Sequence, residues 1–156
     1  MTDAGHALTA PYTLEYPYTR SVGPILGRFF GALRDRRIVG IRARDGRVIV
    51  PPQEYDPDSG EELTEFVDVA DSGVVTTWAW VREPREHQPL QHPFAWALVR
   101  LDGADSTMLH AVDARDESRM TTGMRVRARW RDETQGDIPD IICFEPVAAP
   151  CATRCR

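Results

Sequence analysis

Residues 124–130 read Met-Arg-Val-Arg-Ala-Arg-Trp, so apolar Met124, Val126, Ala128 and Trp130 alternate strictly with Arg125, Arg127 and Arg129. Successive side chains of a strand point to opposite faces, which makes this segment a β-strand with one buried face and one wet face. Such a strand needs partners, and the chain offers four more runs of β-branched and aromatic residues. They are 73–81 (GVVTTWAWV), 94–101 (FAWALVRL), 107–112 (TMLHAV) and 138–144 (IPDIICF). Between the third and fourth of the five lies DARDESRMTTG, long enough for a turn of helix. Five short strands with that insertion predict a mainly β chain whose residues 69–146 form an OB-fold barrel. Alternation leaves one point open. Trp78 and Trp80 project from one face of 73–81, and Val75, Thr77, Ala79 and Val81 from the other, and either face suits a core.

Upstream, Val22, Ile25, Leu26, Phe29, Phe30 and Leu33 fall on one helical face, with Ser21 as N-cap, Pro24 in the first turn and Arg34, Arg36 and Arg37 near the end. A helix over 21–38 follows. Its heavy apolar face either packs on the chain's own barrel or docks on a partner. Residues 1–20 show no periodicity and carry Tyr12, Tyr16 and Tyr18, which predicts an extended arm that docks on something. Residues 39–68 form a loop-rich middle with a strand stub at Val48–Val50, stopped by Pro51-Pro52. Residues 147–156 form a flexible tail.

The net charge of −5 argues against an extended phosphate-neutralising surface. No run of about 18 apolar residues is present, and Met1 to Ala10 lacks the charge and apolar pattern of a secretory signal. The three cysteines, Cys143, Cys151 and Cys155, do not suggest a disulfide framework, so a cytoplasmic location is expected. All 19 basic residues are arginine, and asparagine is absent too. Both missing residues use A/T-rich codons, which suggests a high-G+C bacterial gene.

Motifs for chemistry are sparse. There is no phosphate-binding glycine loop, no HExxH and no GxSxG. His87 and His92 flank a proline-rich loop and are expected to be solvated rather than to hold a metal. Asp45, Asp56 and Asp58 match no calcium loop and read as turn caps. His110 sits mid-strand, where packing is commoner than catalysis. His110 and Asp113 are three apart on a strand and so point to opposite faces, a poor acid–base pair. Trp78, Trp80 and Trp96 form either core or a stacking platform for a base.

The order of these segments resembles a known family, the acyl-CoA-associated domain of unknown function 35, over about residues 20–146. GPILGRFFGALRDRRIVGIR resembles its leading helix, and DGRVIVPPQEYDPDSG resembles its rubredoxin-like zinc ribbon. GVVTTWAWV, PFAWALVRLDG, MTTGMRVRARW and IPDIICFEP resemble its OB strands and its end. Where the family carries four zinc cysteines, this chain has Arg42, Asp45, Asp56 and Ser59. Arginine does not ligate zinc and serine rarely does, so a degenerate ribbon without zinc is expected, held by packing of Val48–Val50 or by a partner.

The resemblance implies a non-catalytic accessory subunit of a thiolase-like enzyme, thiolase or retro-aldolase, in lipid or steroid side-chain breakdown in actinobacteria. The partner-docking residues would be Ile25, Leu26, Phe29, Phe30 and Leu33, with Trp78, Trp80 and His110 touching the acyl-CoA or the partner. No cofactor is expected to be bound directly, the CoA ester being that of the complex. Two other readings stand beside it. One is an OB-fold nucleic-acid or nucleotide binder, using the tryptophans and the stripe Arg125, Arg127, Arg129 and Arg131. The other is a small hydrolase using His110 and Asp113.

Overall fold

A computed structural model describes residues 10–16 and 21–147. One helix, α1 (Gly23–Arg34), is followed by a three-stranded antiparallel sheet in the order β2-β1-β3, built from β1 (Ile38–Arg42), β2 (Val48–Ile49) and β3 (Glu65–Val69). Then comes a closed five-stranded barrel, β4-β5-β6-β8-β7: β4 (Ser72–Val81), β5 (Phe94–Leu101), β6 (Met108–Val112), β7 (Arg125–Trp130) and β8 (Ile141–Pro146). All ladders are antiparallel except the β6–β8 contact at Val112 and Phe144, which is parallel and closes the barrel. A 3₁₀ turn at Glu117–Arg119 fills the expected helical insertion. This is the five-strand OB architecture.

The helix starts and stops differently from the sequence expectation. Val22 occupies the N-cap position, while Ser21 Oγ accepts from the Gly23 N–H at 3.3 Å. Pro24 lies in the first turn as expected. The helix ends at Arg34 because Arg36 turns left-handed, with φ 54°. The Arg36 and Arg37 N–H groups then return to the Leu33 and Ala32 carbonyls, a Schellman ending. Glycine is usual there. Arg36 offsets the strain by donating from Nη2 to the Arg131 and Asp132 carbonyls at 3.1 and 2.9 Å. Arg34 donates to the Gln135 carbonyl, and Thr134 Oγ1 donates to the Arg34 carbonyl at 2.6 Å. The C-terminal end of α1 is thereby clamped to the β7–β8 loop. Phe29, Ala32 and Leu33 of α1 join the main core with β1, β2 and the inner face of the barrel.

Val48–Val50 is more than a stub. β1 pairs with both β2 and β3, and the sheet is tied to the β5–β6 turn. Asp105 Oδ2 accepts from the Val48 N–H, and Ser106 Oγ accepts from the Val50 N–H and donates to the Val50 carbonyl. At the positions that the resemblance assigns to cysteines, charge holds the loops together. Arg47 ion-pairs with Asp45, Asp56 and Asp58, so one guanidinium bridges both turns. Buried Asp56 accepts from the Asp58 and Ser59 N–H groups, the expected turn cap. Arg42 pairs with Glu65 across the sheet. Ile41, Ala43, Ile49 and Leu63 form a small core of their own.

The fifth strand begins late. Residues 138–140 form a 3₁₀ turn, and β8 starts at Ile141. Pro139 has no N–H for a ladder, and Asp140 gathers the loop instead. Its buried carboxylate accepts from the N–H groups of Gln135, Gly136 and Asp137 at 2.8, 2.7 and 3.1 Å. Burial alone would push this carboxyl up, but the backbone donors outweigh it and hold the group below the usual aspartate range. A depressed folded-state pKa contributes stability above the unfolded value of about 3.9, and that contribution fades as pH falls through the folded pKa. Asp140→Asn is therefore expected to lose about 1–3 kcal/mol at pH 7, with the gap to wild type narrowing in acid. Urea midpoints at pH 7 and pH 3 check this; an equal gap at both would refute the assignment.

Candidate functional site

A bulge at Val75/Thr77 settles which face of β4 is inside. Val75 points into the core before it, and Trp78 and Trp80 pack against the core after it, while Thr77 and Ala79 are exposed. The bulge inserts one residue and reverses the parity, so Val75 and the two tryptophans share a face that simple alternation had separated. Trp78 and Trp80 are barrel lining and no exposed stacking platform. Trp78 lies in register with Ala97, and Ala97 with His110, so the small alanine separates the indole from the imidazole along one row of the inner face.

His110 is buried at the end of that row. Its Nδ1 accepts from the Ala111 N–H at 2.9 Å, and its ring meets Phe144 edge-on at 5.5 Å. Burial lowers its pKa below the ordinary histidine value, against backbone hydrogen bonds at Ala111 and Ile138. The imidazole is uncharged at neutral pH. Asp113 faces the other way. Its fully buried carboxylate lies 3.1 Å from His92 Nε2, 3.4 Å from Arg115 Nε and 3.9 Å from Arg129 Nη1. The two residues do not meet as an acid–base pair, as their spacing requires.

His92 is half-buried rather than solvated, with its Nε2 against the Asp113 carboxylate. It holds the foot of the 82–93 loop, while Leu90 of that loop packs with Phe94, Ala111 and Cys143 on the outer barrel face. Asp113, Cys143 and Glu145 form a group of potential metal ligands. It fits a cation poorly. Arg129 pairs with Glu145 at 2.6 Å, Arg115 and Arg129 both face Asp113, and burial pushes the Cys143 thiol up to about 11.

The arginine stripe of β7 is neutralised side chain by side chain. Arg125 makes a two-pronged contact with Asp102, Arg127 pairs with Asp71, and Arg129 with Glu145. Paired guanidiniums release few counterions from a nucleic acid. Arg131 differs: among the described residues no carboxylate lies within 4.0 Å of it.

Arg131 instead lines a cleft of about 450 Å³ with His87, Trp96, Leu109, His110 and Ile138 among its walls. The walls come from the loop between the first two barrel strands, from the second and third strands, and from the loop between the fourth and fifth. OB folds bind their ligands on that face and with those two loops. The lining is mostly apolar, its polar side chains are Arg131, His87 and His110, and Leu109 is 61% exposed. The sequence pointed to His110 and Trp96, and missed Leu109, Ile138 and the separate standing of Arg131. The signal was available, since the five strands once placed define both loops.

The docking candidates divide. Phe29 and Leu33 are fully buried in the chain's own core and cannot serve a partner, while Ile25, Leu26 and Phe30 keep partial exposure. Ile25 and Leu26 line a groove with Pro51, Pro52, Gln53 and Glu54. Of the arm tyrosines, Tyr12 and Tyr16 are exposed, whereas Tyr18 lies outside the described residues, as does the expected tail beyond 147. Among the described residues no helix is long and apolar enough to cross a membrane.

Residues 66–131 match the family model described as the C-terminal OB-fold domain of ChsH2. A solved structure described as an Ltp2–ChsH2(DUF35) aldolase is similar at a TM-score of 0.59 and 22% identity, over 82% of this chain and 98% of that one. A protein of unknown function from the DUF35 family of Sulfolobus solfataricus is similar at a TM-score of 0.58 and 18% identity, over 80% and 84%. None of the curated proteins compared matches the chain. At these identities the structural likeness is one of fold, and the family-model match is confined to residues 66–131. Residues 66–131, less than half of the chain, are thus similar to the C-terminal OB-fold domain of ChsH2.

Proposed function

We propose that this chain is a non-catalytic accessory subunit that binds and stabilises a thiolase-like acyl-CoA enzyme, a thiolase or retro-aldolase of lipid or steroid side-chain breakdown in the cytoplasm. The ChsH2-type match of the barrel carries the proposal, and the description of a structural neighbour as an Ltp2–ChsH2 aldolase agrees with it. Three features support a non-catalytic role. His110 is buried and uncharged, Asp113 faces Arg115 and Arg129, and Cys143 stays protonated at pH 7. Ile25, Leu26 and Phe30 provide a docking edge on α1. The CoA ester belongs to the complex, with His110 the nearest group to it from the OB face. The ribbon-like sheet works without zinc, since Arg47 joins its two turns. A nucleic-acid role is disfavoured by the pairing of Arg125, Arg127 and Arg129.

The test is co-expression with the thiolase-like protein encoded nearest to this gene, affinity capture of this chain, and assay of CoA-ester cleavage. A stoichiometric complex whose activity needs both chains is expected. A stable monomer that leaves its neighbour's activity unchanged would reject the proposal.

A further inference from the structure

The cleft on the OB face has a lining that specifies an occupant. Trp96, Leu109, Ile138, Pro139 and Ile142 make it apolar, and Arg131 adds one charge. His110 adds none, because burial keeps its imidazole neutral. Each of the three preceding arginines of β7 has its carboxylate within the chain, and Arg131 has none among the described residues. Its backbone is nevertheless fixed, since its N–H donates to the Asp140 carbonyl at 2.8 Å and its own carbonyl accepts from Arg36. A guanidinium with no carboxylate partner among the described residues, beside an apolar hollow, complements a carboxylate next to an apolar group.

Leu109 decides between a small molecule and a protein. Small ligands are enclosed by their pockets over about 70–90% of their surface, yet this leucine stands on the rim at 61% exposure. A ligand seated in the hollow would leave it wet. A surface extending past the rim covers it, as the ring of contacts around a buried anchor does in protein interfaces.

Resting on the accessory-subunit reading, we propose that this cleft is an interface pocket for the thiolase-like partner, which inserts an aliphatic or aromatic side chain flanked by an aspartate or glutamate. The apolar side chain fills the space between Trp96, Leu109 and Ile138, and the carboxylate pairs with Arg131. This contact is separate from the α1 edge at Ile25 and Leu26.

The experiment measures binding of the full chain to the co-expressed partner for wild type, Leu109→Thr and Arg131→Glu. Threonine keeps strand propensity at an exposed position, and among the described residues Arg131 makes no ion pair whose loss would unfold the loop. Both variants are expected to melt near wild type, and each to bind about tenfold more weakly or worse. Arg131→Lys, which keeps the charge but not the planar fork, is expected to fall between. Binding by both variants within about twofold of wild type overturns the pocket while leaving the accessory-subunit reading intact. So does an intact complex that has lost only CoA-ester binding, which would make the cleft a small-molecule site. Absence of any complex with the wild-type chain removes the accessory-subunit reading and this inference with it.

Discussion

Gly73→Ala is expected to unfold the barrel or lower its stability by about 3 kcal/mol or more. Gly73 sits where β4 is paired on both sides, to Leu101 of β5 and Val126 of β7, at the closure of the barrel. A Cβ there would lie 2.3 Å from the Arg100 carbonyl oxygen and 2.8 Å from the Leu101 Cα. These are backbone atoms within a ladder and cannot turn aside as a side-chain tip can. Relief requires parting β4 from β5, which breaks hydrogen bonds and opens the core over Val75 and Val99. Gly27→Ala provides the contrast within the same chain. Nothing lies within 4 Å of the added carbon there, and alanine in a helix is worth up to about 1 kcal/mol over glycine. Urea denaturation of both variants should therefore shift in opposite directions. A wild-type midpoint for Gly73→Ala would show that β4 and β5 do not approach as described.

The barrel was legible in the sequence because each of its strands is a β-branched or aromatic run stopped by turn residues. β7 also alternates without a fault. The strands that sequence reading passed over fail one of those tests. β1 follows an arginine-rich helix end with Asp35 as the one turn-forming residue between, and contains Gly40, whose missing Cβ leaves room for Val48 Cγ1, 2.7 Å from where it would lie. β3 reads Glu-Phe-Val-Asp-Val, too short and acidic to stand out. The inward face of β4 was illegible for a different reason, since a bulge changes parity without leaving a mark in composition. The approach of His92 to Asp113 joins a loop to the end of a strand 21 positions later, and the neutralisation of Arg125 and Arg127 reaches back to Asp102 and Asp71. Pairings of that kind are products of strand order. The cleft is one as well: its two loops are about 40 residues apart in sequence, and only closure of the barrel brings Pro89 and Pro139 to one hollow.

Phe29→Ala is expected to destabilise the protein by about 3–5 kcal/mol, a large part of the roughly 5–15 kcal/mol that holds a domain together. The ring is fully buried, lies 5.7 Å from that of Phe30, and belongs to the cluster where helix, small sheet and barrel meet. Neighbouring side chains are held by the clamp of α1 to the β7–β8 loop, through Arg34, Arg36 and Thr134, so the cavity is poorly relieved by movement of the helix. The result separates two roles that the amphipathic pattern of α1 had merged. A loss of partner binding in Phe29→Ala would report lost fold, and its thermal midpoint should drop by roughly 10 °C. Leu26→Asp changes a partly exposed side chain on the same helix and is expected to melt within a few degrees of wild type, so its effect on complex formation reports docking alone. Thermal unfolding of the two variants, read beside capture of the partner, distinguishes them. An unshifted midpoint for Phe29→Ala would mean that α1 is not packed on the core, and the apolar face of the helix would then be free in its entirety for the partner.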